Sequence, residues 1–498
     1  MRFLARTIVS ASILLSLAPI GCVSKSNIDS SAPSSQAEAL PDLIPGVSII
    51  YSANLDGEIE PCGCRDNPTG GIHRRWNLIE QKASKDKLHI DSGDLFYKST
   101  PVPTFLKSQW NYQAEVLVRA YNEMKVDAMA PGELDFAAGL AQFEELKKKA
   151  KFKIVSSNLF RTGTQTSFLE PYVIVTKKGK KIGLFGLYDE TLPLPQGLEA
   201  TDHLEAAKNS VHELRSKVDV LIALTHLGHD KDLQLAKQFP EIDAIFGGHS
   251  RNLLFTPARV EKTMILQPSF RGQHIGLYQN AKNTLYQMDA RFDSRADDQN
   301  PIDLLLAEAK KKIGQLNRET EMLLLSEANV NAAKKIQNFQ TFVNCAQCHA
   351  VQQKFHAKTP HFQAYETLIK AKQEANLDCL QCHTVGMQKP GGWKHVSKLV
   401  VSSSGKTVDA ASFSKSAPKM TPDSMRKISK AFINVQCESC HGAAGEHPFS
   451  GEYNKKVSTA TCLQCHTQER APGWYKDGKP QQALIEAKLK NMTCPAGD

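Results

Sequence analysis

Hydrophobic positions divide the chain into regions of different period. Residues 8–20 form one apolar run broken only by small residues, with Arg2 and Arg6 ahead of it. The run is too short to span a bilayer and has the layout of an export signal. From residue 46 to 291, short apolar runs alternate with amphipathic stretches. The strand-like runs are 46–51, 87–91, 153–157, 182–187, 218–224 and 242–246. Helical spacing is found over 109–124, 139–151 and 203–217. Such alternation predicts an α/β layered domain. Over 297–333, Leu304, Leu305, Ala307, Ile313 and Leu316 predict an amphipathic linker helix. Beyond it the pattern is short and loop-rich, and the Ser/Lys-rich stretch 397–420 reads as a surface insertion. The expected organisation is a signal peptide (1–21), a flexible tether (22–45), an α/β domain (46–295), a helical linker (296–335) and a mainly α, loop-rich domain (336–498).

Composition changes this picture at one point. The chain has 498 residues, 41% hydrophobic and 23% charged, which excludes a disordered or fibrous chain. Its 12 cysteines are unevenly placed. Eight of them form four pairs, and each pair is followed at once by histidine: Cys345-x-x-Cys348-His349, Cys379-x-x-Cys382-His383, Cys437-x-x-Cys440-His441 and Cys462-x-x-Cys465-His466. This is the signature of c-type haem attachment. Two thiols bond one haem, and the next residue presents an imidazole to its iron. Zinc ribbons also use paired cysteines, but they do not place histidine directly after every pair. Four covalently bound haems are therefore expected. His361, His447, His395 and His356 are the candidates for the sixth position on each iron.

The charge follows the cysteines. The net charge is +9, yet residues 331–498 hold 22 Lys+Arg against 12 Asp+Glu and so carry the whole surplus. Haem propionates offset part of it. The basic residues thus read as propionate partners and a redox docking surface, not as a nucleic-acid site.

Residues 339–475 resemble the tetrahaem cytochrome c-554-type family. The resemblance rests on the first motif with Thr359-Pro360-His361, on Cys379-x-x-Cys382-His383-Thr-Val-Gly386, on Val435-Gln-Cys437-Glu-Ser-Cys440-His441-Gly442 with His447, and on the last motif with Pro472. It implies periplasmic electron relay through mostly bis-histidine haems, with small-molecule redox chemistry in members that keep an open iron. Cys22, in Gly21-Cys22 at the end of the first apolar run, resembles a lipobox cysteine, although Pro19 stands where Leu is usual. Lipidation of Cys22 implies a membrane-anchored protein in the bacterial periplasm, with periplasmic or membrane redox partners. Cys62, Cys64 and Cys494 remain unassigned: a redox or soft-metal pair, or a structural loop pair.

In the α/β region, polar residues follow the strand-like runs: Asp91 and Asp94, Asn158, His226, and His249 in Gly-Gly-His-Ser. Carboxylates with two strand-end histidines suggest a divalent metal. With Asn54-Leu-Asp56-Gly57 and Asp127-Ala-Met-Ala-Pro-Gly132, the pattern resembles the N-terminal domain of calcineurin-like metallophosphoesterases of the 5′-nucleotidase branch. That resemblance implies a four-layer α/β sandwich and a two-metal hydrolase. It fails at particular positions. Asn54 and Asp56 replace Asp and His ligands, Glu133 and Leu134 replace an Asn ligand and a catalytic His, and Arg251 replaces a His or Gln ligand. Asp94, Glu133, His226 and His249 suffice for one divalent metal. Asn54 and Asp56 are the remaining candidate ligands, with Arg251 expected to pair with Asp56 or Asp94. No catalytic residue is assigned. Three readings follow: a multihaem electron carrier with a degenerate phosphoesterase-like domain, a metal-dependent phosphoesterase with an appended haem domain, and a multihaem oxidoreductase acting on a small nitrogen or sulfur compound.

Overall fold

The computed structural model describes residues 40–62, 68–164, 166–295, 300–319, 339–387, 399–404, 427–448, 457–476 and 478–495, with isolated residues at 389, 392, 410 and 413. Residues 41–498 form one compact unit. Cys22, Cys64 and His395, the tether and most of the 397–420 insertion lie outside the described residues, as does the side chain of Cys62.

Two six-stranded mixed sheets make the α/β part. In the first, Ser48–Ser52, Lys87–Asp91, Ala128–Met129 and Lys153–Ile154 run parallel, and His274–Gln279 and Lys282–Gln287 close one side antiparallel. In the second, Lys180–Tyr188, Val220–His226, Ala244–Gly247 and Thr263–Leu266 run parallel between two antiparallel edge strands. The central strands are buried on both faces. Val220–His226 has no exposed residue, as expected where helices and a second sheet cover it. The helices His203–Leu214 and His229–Gln238 pack Val211, Leu214, Leu235 and Ala236 onto Phe185, Leu221 and Ile245 of the second sheet.

The run at 153–157 is strand only over Lys153–Ile154. Beyond it the backbone crosses sheets: Val155 still bonds to Met129, while Ser157 donates to Gly186 of the second sheet. The helix Pro301–Glu319 lies on Lys107–Glu123 through Ile302, Leu305, Leu306, Ala309 and Ile313. Its apolar stripe is rotated from the expected one, since Leu304 is 77% exposed. The same core continues into Phe339, Phe342, Phe362, Tyr365 and Leu380, so the two halves share one apolar interior.

The C-terminal half uses short helices: Thr341–Cys348, Leu377–His383 and Cys437–His441 each end within a haem motif, and Ala364–Ala371 precedes the second. Glu438, inside the third motif, holds the start of the first. Its carboxylate accepts Thr341 N at 2.7 Å, Gln340 N at 3.0 Å and Ala444 N at 2.8 Å.

Candidate metal and haem sites

The four retained metal candidates come from the ends of four parallel strands. Asp94 follows Lys87–Asp91, Glu133 follows Ala128–Met129, His226 ends Val220–His226, and His249 follows Ala244–Gly247. Their side chains converge. Glu133 Oε2 is 2.9 Å and Asp94 Oδ2 is 3.4 Å from His226 Nε2, and Glu133 Oε1 is 3.3 Å from His249 Nδ1. His226 Nδ1 faces Ser92 O at 2.6 Å. With Nδ1–H donated there, Nε2 turns a lone pair toward the carboxylates. Glu133 Oε2, His226 Nε2 and His249 Nδ1 are buried without a hydrogen-bond partner among the described residues. Three lone-pair atoms facing one point can hold a cation, and the nitrogen–carboxylate set suits zinc, manganese or iron. Burial opposes a charge on His226, but Asp94 and Glu133 hold its pKa well above the ordinary value, so a proton takes the cation's place when no metal is bound.

The backbone is shaped around this point. Asn54, Asp56, Asp94, His249 and Arg251 all have positive φ, between 51° and 65°, a conformation that non-glycine residues keep only where surrounding structure enforces it. Asp135, which the sequence reading passed over, does much of the enforcing. It accepts the N–H groups of Asp94, Leu95, Phe96 and Gly132 at 2.8–3.0 Å, tying the Asp94 loop to the Glu133 turn. Its place two residues after Glu133 was the available signal. Gly132 has no room for a side chain: a Cβ there stands 2.4 Å from Asp94 Oδ1 and 2.5 Å from His226 Nε2. Gly132→Ala is expected to weaken binding of manganese or zinc at least about tenfold by displacing a ligand, measured by calorimetric titration.

The structure does not bring Asn54 and Asp56 into the ligand group. Asn54 is committed at both ends, donating to Ser269 O at 3.0 Å and accepting His249 N at 2.9 Å. Asp56 is paired with Arg251 at 3.0 Å. The guanidinium also lies over the Phe270 ring, 5.3 Å from its centroid. By the resemblance it replaces a ligand of the second metal, and a guanidinium repels a cation. Burial raises the Asp56 pKa to about 8, with Arg251 working against the rise. Leu134 offers only its backbone N–H, which donates to Asp94 Oδ1 at 2.8 Å. Asn158 and Asp91 are used structurally: Asn158 bonds Tyr188 and Thr201, and Asp91 accepts from Ser52, Tyr121 and Gly93.

All eight paired cysteines, and the histidines of all four motifs, line one cavity of about 3460 Å³. His356, His361 and His447 line it too. Two imidazoles face each other in two places. The His349 and His447 rings are 6.1 Å apart at 21°, and the His361 and His466 rings are 6.1 Å apart at 60°. Rings on opposite sides of one metal stand roughly 6 Å apart, because each metal–imidazole bond is about 2.0–2.1 Å, as for zinc. Burial holds His356 and His466 at about 4 and pushes His361 and His383 below the ordinary range, so these rings are the neutral imidazoles that ligation requires. His356 packs edge-on to Phe362. Trp474 stacks on His466 at 4.2 Å and 5°. Cavity volume, thiol placement and facing histidines all fit haem, which supplies one-electron chemistry at iron when bound. Cys494 is exposed at the cavity rim.

An α/β sandwich with a strand-end group of candidate metal ligands, joined to a thiol- and histidine-lined cavity, defines the class: a phosphoesterase-type fold joined to a region lined for haem. Comparison with known proteins agrees at both ends. The family described as "Cytochrome c554 and c-prime" matches residues 344–404. The snake venom 5′-nucleotidase of Crotalus adamanteus is 31% identical over 199 residues, which are 38% of this chain and 33% of that protein. The 5′-nucleotidase of Vibrio cholerae is 28% identical over 289 residues, 53% of this chain and 48% of that one. The chain thus spans a third to a half of the length of these relatives. Among solved structures, a 5′-nucleotidase precursor from Thermus thermophilus superposes with TM-score 0.47 at 20% identity, covering 66% of this chain and 67% of that one. The chain is thus similar to 5′-nucleotidase/calcineurin-like phosphoesterase N-terminal domains over one part and to the cytochrome c554 family over residues 344–404.

Proposed function

We propose that this protein is an exported, membrane-tethered electron carrier with four c-type haems, working in the periplasm with other redox proteins. Its phosphoesterase-like domain binds one divalent cation and no longer hydrolyses phosphoesters efficiently. The observation that carries the reading is the single cavity bordered by all four attachment motifs, in which His349 faces His447 and His361 faces His466. Haems sharing one cavity lie near enough to pass electrons along the chain. Within this reading, His447 and His361 serve as sixth ligands for the first and fourth motifs.

The domain's degenerate state rests on the Asp56–Arg251 ion pair and on Leu134. Two-metal hydrolysis places one ion on the nucleophile and one on the charge of the transition state. Here a guanidinium stands in for a ligand of one ion, and Leu134 replaces the acid–base histidine. A second reading, a hydrolase with an accessory haem region, is favoured only by the intact Glu133–His226–His249 group.

A reduced-minus-oxidised spectrum with a pyridine haemochrome count tests the proposal. Four low-spin c-type haems per chain are expected, along with about one bound divalent ion and negligible turnover of phosphodiester or nucleotide substrates. The absence of c-type haem refutes electron transfer, and brisk turnover revives the hydrolase. A high-spin component that binds carbon monoxide moves the function to redox catalysis at an open iron.

A further inference from the structure

The loops that hold the metal candidates extend into the wall of the haem-motif cavity. The loop bearing Asn54 and Asp56 continues through Glu58 and Glu60, and the Asp94 loop continues to Lys98; all three of these distal residues line the cavity. At the wall, Lys98 Nζ lies 3.2 Å from Glu58 Oε1 and 3.0 Å from Asp378 Oδ2. Asp378 directly precedes Cys379, the first thiol of the second motif. Its carboxylate also accepts Trp110 Nε1 at 3.0 Å and Gln109 Nε2 at 3.1 Å, both from the α/β half. Arg271 ion-pairs with Glu58 on one side of this group. On the other, Arg470 donates to Cys382 Sγ at 2.8 Å. Side-chain exposure is 16% at Lys98, 9% at Glu58 and 8% at Asp378.

We infer that the haem attached to Cys379 and Cys382 is bound between the two halves of the chain, with the phosphoesterase-like half as its second wall and Lys98 as the residue that sets the electrostatic field there. The inference rests on the proposal that these cysteines carry haem. A lysine buried between two carboxylates is expensive for stability alone, and apolar packing commonly serves as well or better. Its pairing with Asp378, the residue directly before the first thiol of the second motif, gives the charge a use. The iron gains a unit of positive charge on oxidation, so a nearby ammonium favours the reduced form and a nearby carboxylate the oxidised form. The altered loop at Asn54–Asp56 fits the same picture: it has lost its metal-ligating pattern in a chain where it also borders the cavity.

Redox titration of the full-length, haem-loaded protein, resolved into four midpoint potentials, tests this. Lys98→Met is expected to shift one haem about tenfold toward its oxidised form at a fixed potential, a fall of about 59 mV for a one-electron couple. Glu58→Gln is expected to move the same component upward, and Lys98→Arg to leave it near the parent value. The moving component must be the one missing from a variant with Cys379→Ser and Cys382→Ser. If Lys98→Met instead folds with three haems, a peptide map showing Cys379 and Cys382 unmodified supports the shared site, and loss from any other motif overturns it. The inference is also overturned if all four potentials match the parent in both charge variants, or if Lys237→Met, an exposed position on the helix His229–Gln238 of the α/β half, moves the same component equally. A parent protein without c-type haem defeats the electron-transfer reading itself, a result distinct from four haems with unmoved potentials.

Discussion

Asp378→Ala is expected to destabilise the protein by about 3–5 kcal/mol, the cost of removing one member of a buried ion pair. The carboxylate takes hydrogen bonds from Trp110 and Gln109 and an ion pair from Lys98, all buried or nearly so. With methyl in its place, the Trp110 N–H loses its acceptor and the Lys98 ammonium keeps only Glu58. Gln109 retains Asn376, which it reaches at 2.7 Å, so the damage concentrates on Trp110 and Lys98. Denaturant unfolding of the haem-loaded protein checks the size of the loss. Asp378→Asn should recover part of it, because the amide oxygen still accepts from Trp110 while the ion pair is gone. Equal losses in the two variants would mean that the hydrogen bonds contribute little and the charge nearly everything.

Rebuilding the second metal position is expected to give the other large effect. Arg251→Gln with Asp56→His and Asn54→Asp removes the guanidinium and restores ligands. The bound divalent metal should rise from about one to about two ions per chain. Adding Leu134→His supplies an acid–base group, and such a group contributes typically about 10²–10⁴-fold to a rate. Phosphodiester turnover should therefore appear in the four-fold variant and stay at background in Leu134→His alone. Metal analysis and a chromogenic phosphodiester assay check both. Two metals without turnover would show that losses beyond these four positions disabled the chemistry; one metal throughout would show that the Asn54–Glu58 loop is held by its bonds to the cavity wall.

Individual residues show how much of this was legible. The haem motifs could be read from spacing alone, because vinyl thioethers and a following imidazole demand a contiguous pattern. The ligand group Asp94, Glu133, His226 and His249 could be read because parallel strands deliver side chains from their ends, so sequence order predicts spatial convergence. Arg251 announced a lost metal position by its chemistry, but two acids were equally available to it on paper, and only the structure selects Asp56. Asn54 looked like a ligand by position, whereas its amide is spent on backbone groups that no pattern reveals. Asp135 carried a weak signal, and Lys98, Trp110 and Gln109 carried none. Those three meet Asp378 from the far half of the chain, a pairing that local periodicity cannot express.

The sequence by itself determined the chemistry: four thiol–thiol–imidazole sets, one strand-end ligand group, and an arginine where a metal ligand belongs. These follow from residue types at short spacing, and local covalent geometry reads them directly. The tertiary structure decided how the two chemistries meet. It set the apolar stripe of the helix Pro301–Glu319, the facing of His349 with His447 and of His361 with His466, and the joining of the metal loops to the second haem motif through Lys98. Such contacts depend on packing one continuous core across both halves, where burial makes each polar group find a partner from whatever segment lies nearest.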